Sequence, residues 1–372
     1  MDFTLSEPQA MLRDAARAFF KKEFPLSRLR RVEANGLSEF LPLYRQMGEL
    51  GFLGIAISED DGGAGGGWLD LALFNEEAGR ALVPLLHVSS ATLVGQAVLS
   101  MGSEAQKAEL LPGLTSGETV IAPAYLEDGR EPRSPRLTTV AIARGDRVLL
   151  SGTKRFVEGF EVASCLLVAA REESGAARLL LVPRDSPGLQ YREWLLQSLD
   201  RVAELLLDGV AVPRDAALPG VWDGWLNAID GAKIALAAYT VGAAQAALDM
   251  AIAYSKMRVQ FDRPIGSFQA LQHRLADAAM QVEQARVLVQ YGAWVRQERG
   301  SCREEAAMAK LLAGNACRQA AYTATLAHGG YGFMEEQDVQ LYFRRAKLLE
   351  HQVESPEAQR EIILPVEESH GS

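Results

Sequence analysis

One apolar stripe in the C-terminal third of the chain constrains the fold more than any other feature of the sequence. Its members are spaced by three or four residues: Phe268, Leu271, Leu275, Ala278, Val282, Ala285 and Val289. This spacing places them on one face of a helix of about six turns. A long helix with one apolar face is typical of a bundle. A second long helix is predicted from about Glu304 to Ala327, ending at Gly329-Gly330.

The hydrophobic period changes twice along the chain. The first part is helical in pattern, beginning at Thr4-Leu5-Ser6-Glu7-Pro8, where a small polar cap precedes an acid and a proline. The middle part contains short apolar runs bounded by Gly, Pro and charged residues, which predict strands without long helices between them. We therefore expect an antiparallel sheet or small barrel there, not a parallel doubly wound sheet. Three domains are predicted: a helical domain (1–118), a β domain (119–221) and a C-terminal helical bundle (222–372).

The composition excludes several classes of protein. Hydrophobic residues make up 48% of the chain, which is enough for a sizeable core and argues against wholesale disorder. The 48 acidic residues outnumber the 38 basic ones, giving a net charge of −10 and arguing against general nucleic-acid binding. Three scattered cysteines and five histidines without ligand spacing predict no metal site. No signal peptide and no uninterrupted apolar stretch of about 18 residues is found, so we expect no membrane span and a cytoplasmic location.

Charged, polar and aromatic side chains are concentrated between Tyr254 and Asp277. One long helix is predicted to end near Arg258 and the next to begin at about Ser267. Arginines at such a junction, beside the free N–H groups of a helix start, are typical of an anion site. The residues alone leave open the alternative of a solvated loop with surface arginines.

This stretch resembles a motif of the acyl-CoA dehydrogenases, R-x-x-F-G-x-P-I-x-x-F-Q-x-x-Q-x-x-L-A-D. The chain matches it from Arg258 to Asp277, with Asp262 in place of the usual glycine as the single departure. The family's G-G-x-G-[YF] pattern matches residues 329–333, and weaker matches extend over essentially the whole chain. The resemblance implies an N-terminal helical domain, a central antiparallel β domain, a C-terminal four-helix bundle, and FAD as the cofactor.

The resemblance also implies which residues bind FAD. In the family, the motif binds the pyrophosphate and adenine side of FAD across a dimer interface, and the Gly-Gly segment approaches the same cofactor. These roles fall on Arg258, Phe261, Phe268, Gln269, Gly329 and Gly330. Phe156 stands where the family has a tryptophan that contacts the isoalloxazine ring, and Glu158 stands where it has a hydroxyl donor. A carboxylate beside the flavin would disfavour the anionic reduced form.

The family's catalytic base is missing from both of its usual positions. Its reaction removes the α proton of an acyl-CoA thioester with a carboxylate, while the β hydride goes to the flavin. The usual glutamate position, nine residues after Arg344, holds Val353, and the alternative position holds Ala232. Glu354 is the candidate base if the local backbone is shifted, because one residue turns a side chain by about 100° in a helix. His351 is a weaker alternative.

The chain therefore retains the residues by which, in the family, a subunit binds its neighbour's FAD. It lacks most of those by which a subunit binds its own flavin ring and substrate. In the segment Tyr125–Glu131, only Glu127 matches the family's T-E-P-x-A-G-S-D motif convincingly. This asymmetry resembles the non-catalytic subunits of heteromeric acyl-CoA dehydrogenases in sterol or bulky-acyl degradation. The predicted function is α,β-dehydrogenation of an acyl-CoA, with a homologous partner subunit in a dimer or tetramer supplying the base.

Two alternatives stay open. The first is a self-sufficient homo-oligomeric dehydrogenase with Glu354 as a displaced base. The second is another reaction, or a structural or binding role, on the same fold. An electron-transferring flavoprotein is implied as the electron acceptor by the resemblance alone. Among the remaining residues, Glu76 and Glu77 are expected on an exposed helix face, and His328 is expected to be a helix-end residue.

Overall fold

The computed structural model describes residues 4–129 and 131–364 of the chain. Within these ranges the α-helices are α1 (Glu7–Glu23), α2 (Leu26–Asn35), α3 (Leu41–Glu49), α4 (Trp68–Arg80), α5 (Gly95–Met101), α6 (Glu104–Ser116), α7 (Trp222–Met257), α8 (Gln269–Arg299), α9 (Arg303–His328), α10 (Val339–His351) and α11 (Pro356–Ile363). The strands are β1 (Ile121–Ala124), β2 (Val140–Arg144), β3 (Arg147–Glu158), β4 (Cys165–Glu172), β5 (Ala177–Pro183), β6 (Leu189–Leu195), β7 (Arg201–Pro213), β8 (Val259–Gln260) and β9 (Arg263–Pro264). A π-helix, His87–Val94, precedes α5.

The chain forms two compact units. The first, here called the helical unit, comprises the chain up to Leu26, Trp68–Val83 and the chain from Lys233 onward. The second, here called the sheet unit, comprises Ser27–Gly67 and Pro84–Ala232. These units do not follow the three predicted segments, because α1 and α4 belong with the C-terminal helices. The predicted domain boundaries remain predictions.

The helical unit contains the predicted bundle. Helix α8 packs on α9, and α9 packs on α10 and α11, while α4 packs on both α1 and α8. A Cβ atom added at Gly79 would lie 1.8 Å from the Tyr239 carbonyl oxygen, and one at Gly242 would lie 1.8 Å from that of Glu76. The backbones of α4 and α7 are therefore in direct contact, and only glycine fits at these two positions.

The apolar stripe of α8 is buried only in part. Ala278, Val282, Ala285 and Val289 are buried, whereas Leu271 and Leu275 are half-exposed. Phe268 lies at the helix N-cap rather than inside the helix. The long helix was predicted correctly, but its first two turns do not pack fully against the described part of the same chain.

The expectation of an exposed face at Glu76 and Glu77 was wrong. Glu77 is 2% exposed, and its carboxylate accepts two hydrogen bonds from the Arg17 guanidinium, at 2.7 and 2.9 Å. Glu76 is paired with Arg286 at 3.0 Å. Arginines brought from α1 and α8 bury this acidic pair, which a pattern local to α4 could not indicate.

Among the described residues, α7 is the one helix long and apolar enough to cross a membrane by length and composition. In its most apolar window, 83% of the residues are buried inside the protein. A buried helix of this composition is typical of a protein core, so its hydropathy is weak evidence for a membrane span.

The sheet unit contains one seven-stranded sheet of order β1-β4-β2-β3-β7-β6, with β5 paired to β4. The predicted central β domain is confirmed, but its pairing is not wholly antiparallel. Strand β4 pairs in parallel with β1 and with β2, whereas the other four pairings are antiparallel. The β2–β3 hairpin lies between β1 and β4 in the chain, so β4 returns in the direction of β1 through a long connection.

Candidate functional site

The predicted FAD-binding motif forms a short hairpin between α7 and α8. Strand β8 pairs antiparallel with β9, and Phe261 and Asp262 make the turn between them. Both turn residues are left-handed, with φ of 56° and 59°. Two successive left-handed residues are typical of a type I′ turn. Aspartate is among the non-glycine residues that tolerate this conformation, which explains how Asp262 can occupy the motif's glycine position.

The polar side chains of this hairpin and of the α8 N-terminus are exposed. Arg258 and Gln269 are both exposed, and neither side chain makes a hydrogen bond or ion pair with any residue that the structure describes. Phe261 is 84% exposed and lies edge-on to Phe268, with ring centroids 6.0 Å apart. The Arg263 guanidinium lies 4.1 Å from the centroid of the Phe268 ring. A guanidinium and an amide without internal partners can bind a phosphate and a polar ring edge.

The Gly-Gly segment follows α9 as a short 3₁₀ turn, Gly329–Phe333. Gly329 is left-handed, with φ of 62°. Beyond its two chain neighbours, a Cβ atom added at Gly329 or at Gly330 would meet no atom of the described residues within 4 Å. Packing within the chain therefore does not explain these two glycines, and their backbone is open to an external group.

Phe156 lies in the sheet unit, at a bulge of β3. The pairing of β3 with β7 shifts between Lys154 and Val157, and Phe156 within this bulge has φ of 51°. Its side chain is 58% exposed. Bulges commonly re-aim a side chain at a functional site, and a left-handed aromatic residue is an uncommon conformation. Glu158 ends the same strand and is half-buried.

Glu127 holds a loop to the sheet. Its buried carboxylate accepts hydrogen bonds from the Thr138 and Thr139 amides, the Thr138 hydroxyl and the Lys154 ammonium, the last at 2.7 Å. Burial acts to raise the pKa of Glu127. The Lys154 charge and these hydrogen bonds act more strongly in the opposite direction and lower the pKa to about 2. Glu127 therefore stays ionised and serves the fold. Arg130, in the same degraded motif, lies outside the described residues.

The segment that contains the predicted candidate base, Glu354, lies after α10. Val353 is buried and left-handed, with φ of 68°, which is a strained conformation for a β-branched residue. The Glu354 side chain is completely buried, and its Oε2 accepts a hydrogen bond of 2.8 Å from the equally buried Lys233 Nζ. Its backbone carbonyl accepts a hydrogen bond from Gln359 Nε2 at 2.9 Å. His351 is exposed at the end of α10.

A second buried lysine supports the same region. Lys310, on α9, donates from Nζ to the carbonyl oxygens of Leu349 at 2.6 Å and Glu350 at 3.0 Å, at the C-terminal end of α10. Burial lowers the pKa of Lys310 to about 7; the Lys233 charge acts in the same direction, and Glu350 and Glu354 act against it. A cation at a helix C-terminus interacts favourably with the helix dipole.

Sequence reasoning missed this lysine arrangement. The patterns used above indicate no role for Lys310 or Lys233. A signal was present, since each lysine interrupts an alanine-rich apolar stretch of a predicted core helix. A lone lysine in such a stretch has to find a buried partner. The structure thus joins Glu354 to Lys233 and places Lys310 at the end of α10. It places the hairpin and the Gly-Gly turn at the ends of α7 and α9.

The comparisons with known proteins cover nearly the whole chain. The model of the acyl-CoA dehydrogenase N-terminal domain matches residues 6–118, and that of the acyl-CoA dehydrogenase C-terminal domain matches residues 222–365. The "Probable acyl-CoA dehydrogenase YngJ" of Bacillus subtilis (strain 168) is 35% identical over 98% of this chain and 98% of its own length.

Two solved structures are similar over the same extent. A variant of the Tcur3481-Tcur3483 steroid ACAD superposes with a TM-score of 0.86 at 32% identity, over 97% of both chains. A chain of the ChsE4-ChsE5 complex from Mycobacterium tuberculosis superposes with a TM-score of 0.88 at 26% identity, over 98% of this chain and 100% of that chain.

Proposed function

Because the chain belongs to the acyl-CoA dehydrogenase family, whose members use FAD, we propose that it is one subunit of a hetero-oligomeric acyl-CoA dehydrogenase. It contributes half of a shared FAD site, and the partner subunit supplies the carboxylate that removes the α proton of the acyl-CoA. One contrast carries the proposal: Arg258 is exposed without an internal partner among the described residues, whereas Glu354 is buried against Lys233.

The residues of the helical unit fit the pyrophosphate and adenine portion of FAD. Arg258 provides a planar guanidinium for a phosphate, and Gln269 provides an amide for a polar ring edge. The open space at Gly329 and Gly330 allows a ligand to approach the backbone closely. FAD, when bound, supplies the hydride acceptor of the reaction. The residues of this chain bind and orient it, with Phe261 and Phe268 offering aromatic surface beside the Arg263 guanidinium.

The sheet unit supports a smaller contribution from this chain to the flavin ring. Phe156 has the exposure that contact with a planar ring requires. Glu158, however, places a carboxylate where the family has a hydroxyl donor, and Glu127 is committed to Lys154. We propose that Phe156 contacts the isoalloxazine ring and that the hydrogen-bond donors for the flavin come from elsewhere in the complex.

Glu354 is poorly suited to be the base. A general base must come within about 2.6–3.2 Å of the heavy atom whose proton it removes. To reach a substrate, Glu354 would have to leave Lys233 and an environment in which both side chains are completely buried. Breaking a buried ion pair costs about 3–5 kcal/mol, because it leaves an uncompensated charge. We therefore assign Glu354 a structural role.

Exposed apolar side chains beside the motif support association with a second subunit. Met257 is 73% exposed, Phe333 70% and Tyr331 52%, in addition to Phe261. Large exposed apolar patches commonly mark protein–protein interfaces. We propose that these residues pack on a homologous subunit, in a dimer or a tetramer. The name of the ChsE4-ChsE5 complex is consistent with two different subunits in one such enzyme.

We further propose a bulky acyl-CoA as the substrate, an electron-transferring flavoprotein as the acceptor and a cytoplasmic location. The word "steroid" in the name of a relative at 32% identity supports the bulky substrate. The acceptor follows from the family resemblance alone, and the location from the sequence pattern.

Co-expression tests the proposal. The chain is purified alone and together with homologous subunits encoded beside it, and bound flavin is measured by its visible absorbance. Short, long and bulky acyl-CoAs are then assayed with a dye acceptor. We expect a pair that co-purifies with FAD and turns over, and a chain that does neither alone. A yellow homo-oligomer with turnover would favour the self-sufficient alternative, and a chain that binds no FAD with any partner would favour a structural role.

A further inference from the structure

Two stacked rings join the ends of α7 and α9. The ring centroids of Tyr254 and His328 lie 4.2 Å apart, with an interplanar angle of 23°. Tyr254 lies in the last turn of α7, four residues before Arg258, and His328 is the last residue of α9, directly before Gly329. The stack therefore lies where both FAD-binding segments begin.

The hairpin is anchored to Tyr254 by a chain of backbone hydrogen bonds. The Arg258 amide donates to the Tyr254 carbonyl oxygen, and the Ile265 amide donates to the Arg258 carbonyl oxygen, both at 2.8 Å. A Cβ atom added at Gly266 would lie 3.0 Å from the Ser255 carbonyl oxygen. The turn after the hairpin thus also packs on the end of α7, so a shift of Tyr254 moves the hairpin.

The Gly-Gly turn is held against His328. The Nδ1 atom of His328 lies 2.8 Å from the Ala324 carbonyl oxygen, and because a carbonyl oxygen only accepts, Nδ1 carries the hydrogen. A Cβ atom added at Gly332 would lie 2.6 Å from the Thr325 carbonyl oxygen and 3.1 Å from the His328 Cβ. The turn therefore folds back on the last turn of α9, with His328 between it and Tyr254.

From these contacts we propose that Tyr254 and His328 are positioning residues, which hold the Arg258 hairpin and the Gly329–Phe333 turn in fixed positions for FAD binding. This inference rests on the proposed FAD half-site. A single ligand that contacts two segments binds more tightly when both are held in place before it arrives, because less ordering free energy is lost on binding. The rings act through Arg258 and Gly329 and need not touch the cofactor.

Ring-removing and ring-retaining variants separate this role from general stability. His328→Ala and Tyr254→Ala remove one ring each, whereas His328→Phe and Tyr254→Phe keep a planar ring at the same position. FAD is titrated into the complex with the partner subunit after its flavin has been removed. Amide hydrogen exchange is measured over residues 258–266. We expect the alanine variants to lose about tenfold in FAD affinity, the upper range for an aromatic pair. They should also exchange faster at the amides of Arg258 and Ile265.

The phenylalanine variants should keep FAD affinity within about threefold of the wild type, because the stacked geometry survives. The double variant Tyr254→Ala/His328→Ala should bind FAD no more weakly than either single variant, as expected for residues that act as one pair. Additive losses in the double variant, or alanine variants with wild-type affinity and exchange, would overturn the proposal. If His328→Ala does not fold, Tyr254→Ala and the two phenylalanine variants decide the question.

The exchange measurement also separates this inference from the proposed function. A wild-type protein that binds no FAD in any complex refutes the half-site, yet faster exchange in the alanine variants would still establish the coupling of the two segments. Tight FAD binding in the wild type with unchanged exchange and affinity in all four variants would refute the coupling and leave the half-site standing.

Discussion

Two regions of the helical unit contain most of the predicted site residues, and their polar side chains differ in exposure and in hydrogen bonding. The open region comprises Arg258–Gln269 and Gly329–Phe333, and the closed region comprises Leu349–Ser355 with Lys233 and Lys310. In the open region, the side chains of Arg258 and Gln269 are exposed and make no hydrogen bond or ion pair with the described residues. In the closed region, buried charges are bonded to one another and to the end of a helix.

This difference separates polar groups that are available to a ligand from polar groups that are bonded within the fold. A buried polar group has to be satisfied, so the charges of the closed region are committed to its own stability. An exposed guanidinium carries no such requirement and remains available to a ligand. The comparison predicts that substitutions in the closed region affect folding, whereas substitutions in the open region affect binding.

The largest effect is expected for Lys233→Met in the closed region. The change leaves the Glu354 carboxylate buried without its cation, which costs about 3–5 kcal/mol of unfolding free energy. Urea denaturation measures this loss. Lys256→Met, an exposed position on the same helix, is the matched control and should change stability by less than about 0.5 kcal/mol. The double variant Lys233→Met/Glu354→Leu should recover most of the lost unfolding free energy. A Lys233→Met variant as stable as wild type would contradict the assignment of a stabilising role to the closed region.

In the open region, Arg258→Ala should weaken FAD binding by about tenfold to a hundredfold, because it removes a charge-assisted contact to phosphate. Fluorescence titration of FAD into the deflavinated complex measures the affinity. The melting temperature of the chain alone should not change, since the Arg258 side chain has no internal partner among the described residues. A loss of stability with unchanged FAD affinity would reverse the assignment of this residue.

The dependence of the free energy of unfolding on pH tests the role of Lys310 in the closed region. The pKa of Lys310 falls from 10.5 to about 7 on folding, so the unfolded chain binds more protons between these values. The contribution of Lys310 to the free energy of unfolding therefore rises as the pH increases from about 7 toward 10.5, and does not change with pH below about 7. We expect the wild type to gain stability relative to Lys310→Met over this interval. Lys347→Met, which removes an exposed lysine from α10, is the control variant.

The smallest effect is expected at the hairpin turn. Asp262→Gly should be neutral or stabilising by up to about 1 kcal/mol, because glycine adopts the left-handed conformation without a steric cost. Asp262→Ala should be less stable than Asp262→Gly by about 1 kcal/mol. Thermal unfolding of the three proteins measures both differences. An alanine variant as stable as the glycine variant would argue against a type I′ turn here.

The local patterns of the sequence predicted much of the fold. The stripe from Ala278 to Val289 and the helix that ends before Gly329 follow from residue spacing, because helical burial repeats with the helical turn. Strands β4 and β5 were recognisable as apolar runs between turn residues. The parallel pairing of β4 was not predictable, because strand direction depends on partners distant in the sequence.

The candidate site likewise has features that the local sequence predicts and features that depend on residues distant in the chain. Arg258 and the glycines were identified by their resemblance to a motif, which is a local property of the sequence. The burial of Glu354 was not, since it depends on Lys233, which lies 121 residues earlier in the chain. The pairing of Glu77 with Arg17 from α1 is a second example of the same limitation.

The role of Glu354 is the central claim, and the turnover of the Glu354→Gln variant tests it most directly. Glutamine keeps a hydrogen-bond acceptor for Lys233 but cannot take a proton at neutral pH. Acyl-CoA-dependent dye reduction is measured, with excess FAD in the assay, for the purified chain and for its complex with the partner subunit. The account predicts no turnover by the chain alone, and a complex in which Glu354→Gln retains the wild-type rate. Turnover by the chain alone that Glu354→Gln abolishes would contradict it and establish Glu354 as the base.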